Sequence, residues 1–199
     1  TWYEFCDWYL EFSKPVLQSP DSTADELRGT RTTLIVVLEA LLRLLHPLMP
    51  FITEEIWQRV GKLAGKSGDS IMMEPYPAAR PDAVDPGLDA EMRWVMDFIL
   101  GIRRIRGELD IAPSLRLSVL LQNASIEDLA RYGRNAASIQ RLAGLAEALA
   151  LGAGETAPQA ATALLGSMNI LVPMAGLIDG DAELERLGKR RSKVEQELV

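Results

Sequence analysis

The sequence predicts a mainly α-helical protein: a helical bundle followed by a small α/β domain and the start of a coiled coil. Apolar residues recur at helical spacing through most of residues 2–111, and this spacing changes to strand-like alternation at Leu115. A heptad pattern of apolar residues then begins at Leu177 and continues towards the last residue. The predicted domains are a helical bundle at residues 1–113, a small α/β junction domain at 114–178 and the start of a coiled-coil arm at 179–199.

Four helices are predicted in the bundle, and prolines set their limits. The first begins at Trp2 and weakens near Pro15, and the second runs from Leu27 to the His46-Pro47 pair. The third opens near Pro50 or at Thr53, which has a side chain that can cap a helix. Residues 61–87 are rich in Gly, Pro, Ser and Asp, so no regular structure is expected there. The fourth helix covers residues 88–111.

The junction domain is predicted to contain a strand, a helical segment, a second strand and a hairpin. Its first strand covers residues 115–121, where apolar and polar side chains alternate. Residues 126–143 have the pattern of one or two helices, and residues 146–151 that of a weak strand. Two further apolar runs, 161–165 and 168–172, flank Gly166-Ser167, which is typical of a tight hairpin.

Composition and charge restrict the possible functions. The 199 residues are 48% hydrophobic and 25% charged, which excludes disordered and fibrous classes. The most apolar run, residues 34–45, is interrupted by Glu39 and Arg43, so no membrane span is predicted. Because the net charge is −7, the chain as a whole repels a phosphate backbone, and any contact with nucleic acid needs a local basic patch.

The chain has one cysteine and one histidine, and these low counts exclude most catalytic and metal sites. Cys6 is the one cysteine, so an internal disulfide is impossible, and a reducing, cytoplasmic location is expected. His46 is the one histidine, which excludes sites that need two, and we expect it to bond carbonyl groups at a helix end. No phosphate-binding glycine loop is visible, so no catalytic residue, metal or cofactor is assigned to this chain. A start at Thr1 without a signal pattern suggests a cut from a longer chain.

Three arginines in four positions, Arg103, Arg104 and Arg106, form a basic cluster in this acidic chain. Two interpretations stand side by side. The cations complement the dipole at the end of their own helix, or their guanidinium groups bind phosphate oxygens of RNA. A second basic run, residues 189–193, falls within the heptad pattern and is interpreted from the residues alone as a solvated helix face.

Aromatic residues are concentrated in the first helix. At helical spacing such residues are usually core, although exposed rings can stack on unpaired bases. Trp8 and Tyr9 are adjacent and cannot point in the same direction, so one of them is the candidate for exposure.

Three segments resemble one protein family. Residues 5–11 with Lys14-Pro15, and residues 42–57, closely match the anticodon-binding helical bundle of the class I tRNA synthetases for valine, isoleucine and leucine. Residues 102–108 with 111–114 resemble the closing helix of that bundle. Residues 172–179 with 183–187 resemble the entry into the C-terminal arm of the valyl branch. The chain differs from the family in having Asp110 and Leu115 where Asn and Lys are common.

The resemblance implies a tRNA-binding region of a ligase that joins valine to its tRNA with ATP. The parent's ATP site, its editing domain and the first bundle helix lie outside this sequence, so the chain alone is expected to be inactive. It further implies a cytoplasmic, monomeric parent with valine tRNA as partner and no DNA or membrane partner. The implied contacts are Trp8, Tyr9 and Leu10 on anticodon bases, and Arg103, Arg104, Arg106, Arg186, Lys189, Arg190 and Lys193 on phosphates.

Two alternatives remain open at this point. The equivalent region of an isoleucyl or leucyl enzyme has a similar bundle, and the heptad segment after Leu177 argues against it. A purely structural or protein-interaction module, pairing through the heptad helix, is favoured by the net charge of −7.

Overall fold

The computed structural model describes residues 3–152, 155–174 and 188. Within these residues the protein is mainly α, with five α-helices and one small four-stranded sheet, as the sequence predicts. The predicted coiled-coil arm at 179–199 lies outside the described residues except for Gly188, which is helical and exposed. The chain divides into two compact units, residues 1–85 and residues 86–199.

The first unit contains a π-helical segment and three α-helices. Prolines and capping side chains account for several of its helix ends. The second α-helix begins after Thr23, whose hydroxyl accepts from the Glu26 backbone while the Glu26 carboxylate accepts from the Thr23 backbone. The elements are a π-helix at Tyr3–Tyr9, α1 at Leu10–Gln18, α2 at Ala24–Leu45 and α3 at Pro50–Leu63.

The structure around helix α3 differs from two predictions, one about the start of this helix and one about residues 61–87. Pro50 is its first residue, whereas Thr53 lies inside the helix, is buried and donates its hydroxyl to the Met49 carbonyl at 2.7 Å instead of capping the helix. The prediction of no regular structure at 61–87 was also wrong. Helix α3 continues to Leu63, and two short 3₁₀ turns follow at Ile71–Met73 and Pro81–Ala83. A proline-rich segment can still form single turns, because 3₁₀ turns need few backbone bonds.

The core of the first unit forms where α2 and α3 meet the first 3₁₀ turn. Leu42, Trp57 and Ile71 are buried there, with Leu38 and Val60 packed against them. Glu54 of α3 holds the turn in place, because its carboxylate accepts from the Ser70 hydroxyl at 3.0 Å and from the Ile71 backbone at 3.1 Å. Part of the connection is therefore fixed by polar side chains of the helix that precedes it.

The second unit is a helix followed by a mixed sheet with one further helix. The first two strands of the sheet are parallel and joined by a helix, while the fourth strand is antiparallel to the first and to the third. The predicted hairpin around Gly166-Ser167 is confirmed, and it consists of the third and fourth strands. The elements are α4 at Pro86–Glu108, β1 at Leu117–Gln122, α5 at Ile126–Ala143, β2 at Leu145–Ala150, β3 at Ala160–Leu165 and β4 at Met168–Pro173, in the sheet order β2-β1-β4-β3.

Helix α4 packs with α5 and the sheet. Trp94 donates its indole N–H to the Asp128 carboxylate at 2.9 Å, and Arg134 of α5 forms a double hydrogen bond with Glu91. At Gly101 the helix approaches β3 so closely that a Cβ would lie 3.0 Å from that of Ala163. The division between the two units therefore falls at 85/86, ahead of the predicted boundary at 113/114. Helical periodicity shows that α4 has an apolar face, but not which element covers it.

Candidate nucleic-acid interface

The arginine cluster occupies the last two turns of α4, in the second unit. Arg103 and Arg104 are exposed, whereas Arg106 is half-buried. Helix geometry places Arg103 and Arg106 on one side because they are three residues apart, with Arg104 rotated away from them. The three side chains therefore do not act as one continuous patch.

Arg106 holds the loop after α4 against the end of α5. Its guanidinium donates to the carbonyls of Ala143 at 3.1 Å and Gly144 at 2.7 Å, which end α5. It also donates to the carbonyls of Ala112 at 3.2 Å and Leu115 at 2.7 Å in the loop. An arginine has five N–H groups, and these bonds use four of them. Arg106 is thus a structural residue that satisfies backbone oxygens.

Burial and the neighbouring charge of Arg116 lower the pKa of Arg106 below its usual value. Burial removes water from the guanidinium and so disfavours its charged form, and the nearby charge of Arg116 has the same effect on the pKa. Arg116 itself donates to the Gln140 carbonyl at 3.3 Å, close to the same helix end. Two cations thus approach the carboxyl end of α5, where the helix dipole is negative.

Arg103 also reaches the end of α5, donating from Nε and Nη2 to the Leu142 carbonyl at 3.4 and 3.1 Å. One of the two interpretations of the cluster was that its cations complement the dipole of their own helix. The helix-end carbonyls that Arg103 and Arg106 bind are those that end α5. The reason is tertiary, since the sequence gives no sign that the ends of the two helices meet.

A cavity of about 460 Å³ opens between these helix ends. Its charged lining consists of Arg103, Arg106, Arg141 and Asp110. Arg141, in the last turn of α5, is exposed and was missed by the sequence analysis. The one available signal was its place as a basic residue just before Gly144, which is typical of any helix end. We name this cavity the arginine cleft.

Gly144 permits the close approach of Arg106. It ends α5 in the left-handed conformation with φ of 69°, and a Cβ there would lie 2.8 Å from Arg106 Nη2. Both the backbone conformation and the space favour glycine.

The three candidate base contacts of the first unit differ in accessibility. Trp8 is buried, with 4% of its surface exposed, and stacks on Phe12 at a ring distance of 5.8 Å. Tyr9 stacks on Phe5 at the same distance and is half-buried, as is Leu10. Of the adjacent pair Trp8 and Tyr9, the tyrosine is therefore the more accessible ring.

The comparison with known families decides what kind of domain carries these features. Residues 1–121 match the family described as the anticodon-binding domain of tRNA ligase. The chain belongs to this family. Its match includes the aromatic first helix, all three arginines of the cluster and nearly all of β1. An anticodon-binding domain points to tRNA as the partner and to a tRNA ligase as the parent enzyme.

In this anticodon-binding domain His46 has a structural partner. It ends α2, and its Nδ1 lies 2.7 Å from the Thr53 hydroxyl oxygen. That hydroxyl donates to the Met49 carbonyl, so it accepts from His46, and Nδ1 carries the proton. His46 lies at a helix end as expected, but the hydrogen-bond partner of its Nδ1 is the hydroxyl of the buried Thr53 and not a carbonyl group.

The remaining predicted contacts of the domain, Arg186, Lys189, Arg190 and Lys193, lie outside the described residues. Among residues 3–152 and 155–174, acidic, cysteine and histidine side chains form no group of three that could hold a metal ion. In the same part of the chain, no helix is both long and apolar enough to cross a membrane.

Proposed function

We propose that the chain recognises valine tRNA as the anticodon-binding part of a cytoplasmic, monomeric valine–tRNA ligase. The observation that carries the proposal is the family match over residues 1–121. Support for valine over isoleucine and leucine comes from the resemblance of residues 172–179 and 183–187 to the arm of the valyl branch. ATP and the amino acid act in the parent's catalytic domain, and the chain by itself binds tRNA without charging it.

Two surfaces contribute to binding in this proposal. Tyr9 and Leu10 offer a half-exposed aromatic and apolar edge to anticodon bases, while buried Trp8 supports them from within the fold. We assign the second set of contacts, with tRNA phosphates, to the cations Arg186, Lys189, Arg190 and Lys193.

A gel-shift assay of the purified chain tests the proposal. The RNAs are transcripts of valine, isoleucine and leucine tRNA, each at low and at moderate salt. We expect valine tRNA to be shifted at the lowest protein concentration and the difference to persist at moderate salt, because phosphate contacts weaken with salt for every RNA alike. Preference for isoleucine or leucine tRNA would assign the chain to that enzyme instead.

A protein-interaction module is the second candidate, favoured by the net charge of −7 and the heptad pattern after Leu177. Sedimentation of the same sample separates the two. A chain that binds none of the three RNAs and self-associates at micromolar concentration would support this candidate and refute tRNA recognition.

A further inference from the structure

We propose that the arginine cleft binds a phosphodiester group of the RNA backbone, with Arg103 and Arg141 as the contacting residues. This inference rests on the proposed function, because it assumes RNA as the partner, and it adds a site and a residue that the sequence analysis did not identify. The cleft is lined by the ends of α4 and α5 and by the loop that follows α4, and its three arginines all lie on the two helices.

The balance of charge in the cleft favours an anion. Three guanidinium groups line it against one carboxylate, that of Asp110, in a chain whose net charge is −7. The carbonyls at the ends of α4 and α5 offset part of this positive charge, each helix end by the equivalent of about half an elementary charge. The three guanidinium groups still outweigh these negative charges, and Arg116 adds a further cation beside Arg106.

The arginines have unequal parts in this site. Arg106 is committed to four backbone carbonyls and frames the cleft without serving as a contact. Arg103 and Arg141 are exposed at the cavity, and Arg141 comes from a different helix. Arg103 also donates to the Leu142 carbonyl, which fixes its guanidinium beside the cavity. Guanidinium groups match phosphate oxygens in geometry and charge, and here two of them approach from different helices.

The cleft fits a phosphate better than a base. Among the described residues that line it none is aromatic, so the lining offers no ring on which a base could stack. A contact of this kind positions RNA and carries no sequence information. We therefore expect the cleft to raise the affinity for cognate and non-cognate tRNA by the same factor.

Variants of the full chain test the site by binding to a fluorescent valine tRNA transcript over a range of chloride concentrations. Arg141→Gln and Arg103→Gln should each weaken binding several-fold and lower the salt slope by about 0.7 to 0.9. Asp110→Asn should strengthen binding and increase the slope, because it removes the carboxylate of the cleft. Asp110 has φ of 52°, a conformation that asparagine also adopts, so this variant keeps the fold.

The matched control is Arg93→Gln, which removes an exposed arginine of α4 that pairs with Asp89 in its own helix at 2.7 Å. It should change neither affinity nor salt slope. If Arg141→Gln, Arg103→Gln and Asp110→Asn all behave like this control, the cleft is not a phosphate site. Circular dichroism of each variant shows whether a loss of binding reflects loss of the fold.

Two further results distinguish RNA binding at the cleft from the valine assignment and from binding of free phosphate. If the variants alter binding to all tRNAs equally while the wild type fails to prefer valine tRNA, the cleft stands and the valine assignment falls. Replacing chloride by inorganic phosphate at constant ionic strength should displace RNA only weakly. Displacement at phosphate concentrations far below those of the buffer salt would make free phosphate the ligand and overturn the assignment to RNA.

Discussion

Glu39 is a buried carboxylate that joins the two longer helices of the first unit. Arg43, one turn further along α2, donates from Nε and Nη2 to its two oxygens at 2.8 Å each. Trp57 of α3 adds an indole N–H at 3.1 Å. Burial alone would raise the pKa of Glu39, but the hydrogen bonds from Arg43 and Trp57 outweigh it and lower the pKa. The carboxylate is therefore charged at neutral pH and fully partnered.

Replacing Glu39 by Gln is expected to lower the free energy of unfolding by about 3 kcal/mol, because it leaves the guanidinium of Arg43 buried without its counter-charge. The side chain of Arg43 is only 15% exposed, so water cannot compensate. Urea unfolding followed by circular dichroism measures the change.

Glu55→Gln is the matched control, since Glu55 and Arg59 have the same spacing on α3 but are 70% and 83% exposed. This substitution should cost no more than about 0.5 kcal/mol. Equal losses in the two variants would show that burial of the Glu39 pair does not matter for stability.

The arginine cluster shows how far single residues can be interpreted from sequence. Composition alone makes Arg103, Arg104 and Arg106 conspicuous in an acidic chain. Their separate roles depend on the end of α5, which lies more than 30 residues further along the chain. A sequence pattern describes neighbours within a few turns, so neither the carbonyls bound by Arg106 nor the position of Arg141 could be predicted.

Among the helices, α4 has the packing partners that differ most from the prediction, which placed it in the bundle of residues 1–113. Its buried face includes Val95, Phe98, Ile99 and Ile102, and Gly101 brings the backbone close to β3. Phe98 also meets Tyr132 of α5 at a ring distance of 5.8 Å. Helix α4 thus forms part of the core of the second unit.

Gly101→Leu should destabilise the protein by about 1 to 3 kcal/mol, because a side chain at this position collides with Ala163 of β3. Thermal unfolding measures the effect. Gly107→Ala in the same helix is the control, since a Cβ there has nothing within 4 Å. A gain of up to about 1 kcal/mol is expected for the control from helix propensity alone. Unchanged stability in the Gly101→Leu variant would mean that α4 does not pack tightly on the sheet.

The contact between Glu91 of α4 and Arg134 of α5 predicts a pH dependence. Hydrogen bonds from Arg134 and Asn135 lower the pKa of Glu91 from 4.5 to about 2. A carboxyl whose pKa is lower in the folded state stabilises the fold above its unfolded pKa. This stabilisation should be complete above about pH 4.5 and should disappear as the pH falls towards 2.

Glu91→Gln should therefore reduce stability at pH 7 and make it less dependent on pH between about 4.5 and 2. Urea midpoints at half-unit pH intervals provide the measurement. Asp89→Asn, at an exposed ion pair within α4, is the control and should leave the pH profile nearly unchanged. A Glu91→Gln profile parallel to that of the wild type would contradict the role given to this contact.

Most helices and strands could be predicted from local sequence signals. The elements against which they pack could not. The hairpin followed from Gly166-Ser167 between two apolar runs, and the start of α3 followed from Pro50. Thr53 was misassigned because a threonine near a helix start resembles a cap whether it lies outside or inside the helix. The placement of α4 beside β3 depends on contacts over about 60 residues, which periodicity does not report.

At the scale of the whole molecule, an acidic chain belongs to a family that binds an anionic partner. The family match covers residues 1–121 and so extends from the first unit into the second. A net charge of −7 is compatible with RNA binding only if cations are concentrated locally. The arginine cleft is such a concentration, and it contains a residue from beyond the matched region, Arg141.

We propose that this chain recognises valine tRNA through its anticodon. Dissociation constants test this, measured at one salt concentration for valine tRNA, isoleucine tRNA and the two hybrids in which their anticodons are exchanged. We predict that tight binding follows the valine anticodon into the isoleucine tRNA and is lost from the valine tRNA, by roughly tenfold or ~1.4 kcal/mol. Equal affinity for all four RNAs would contradict the claim.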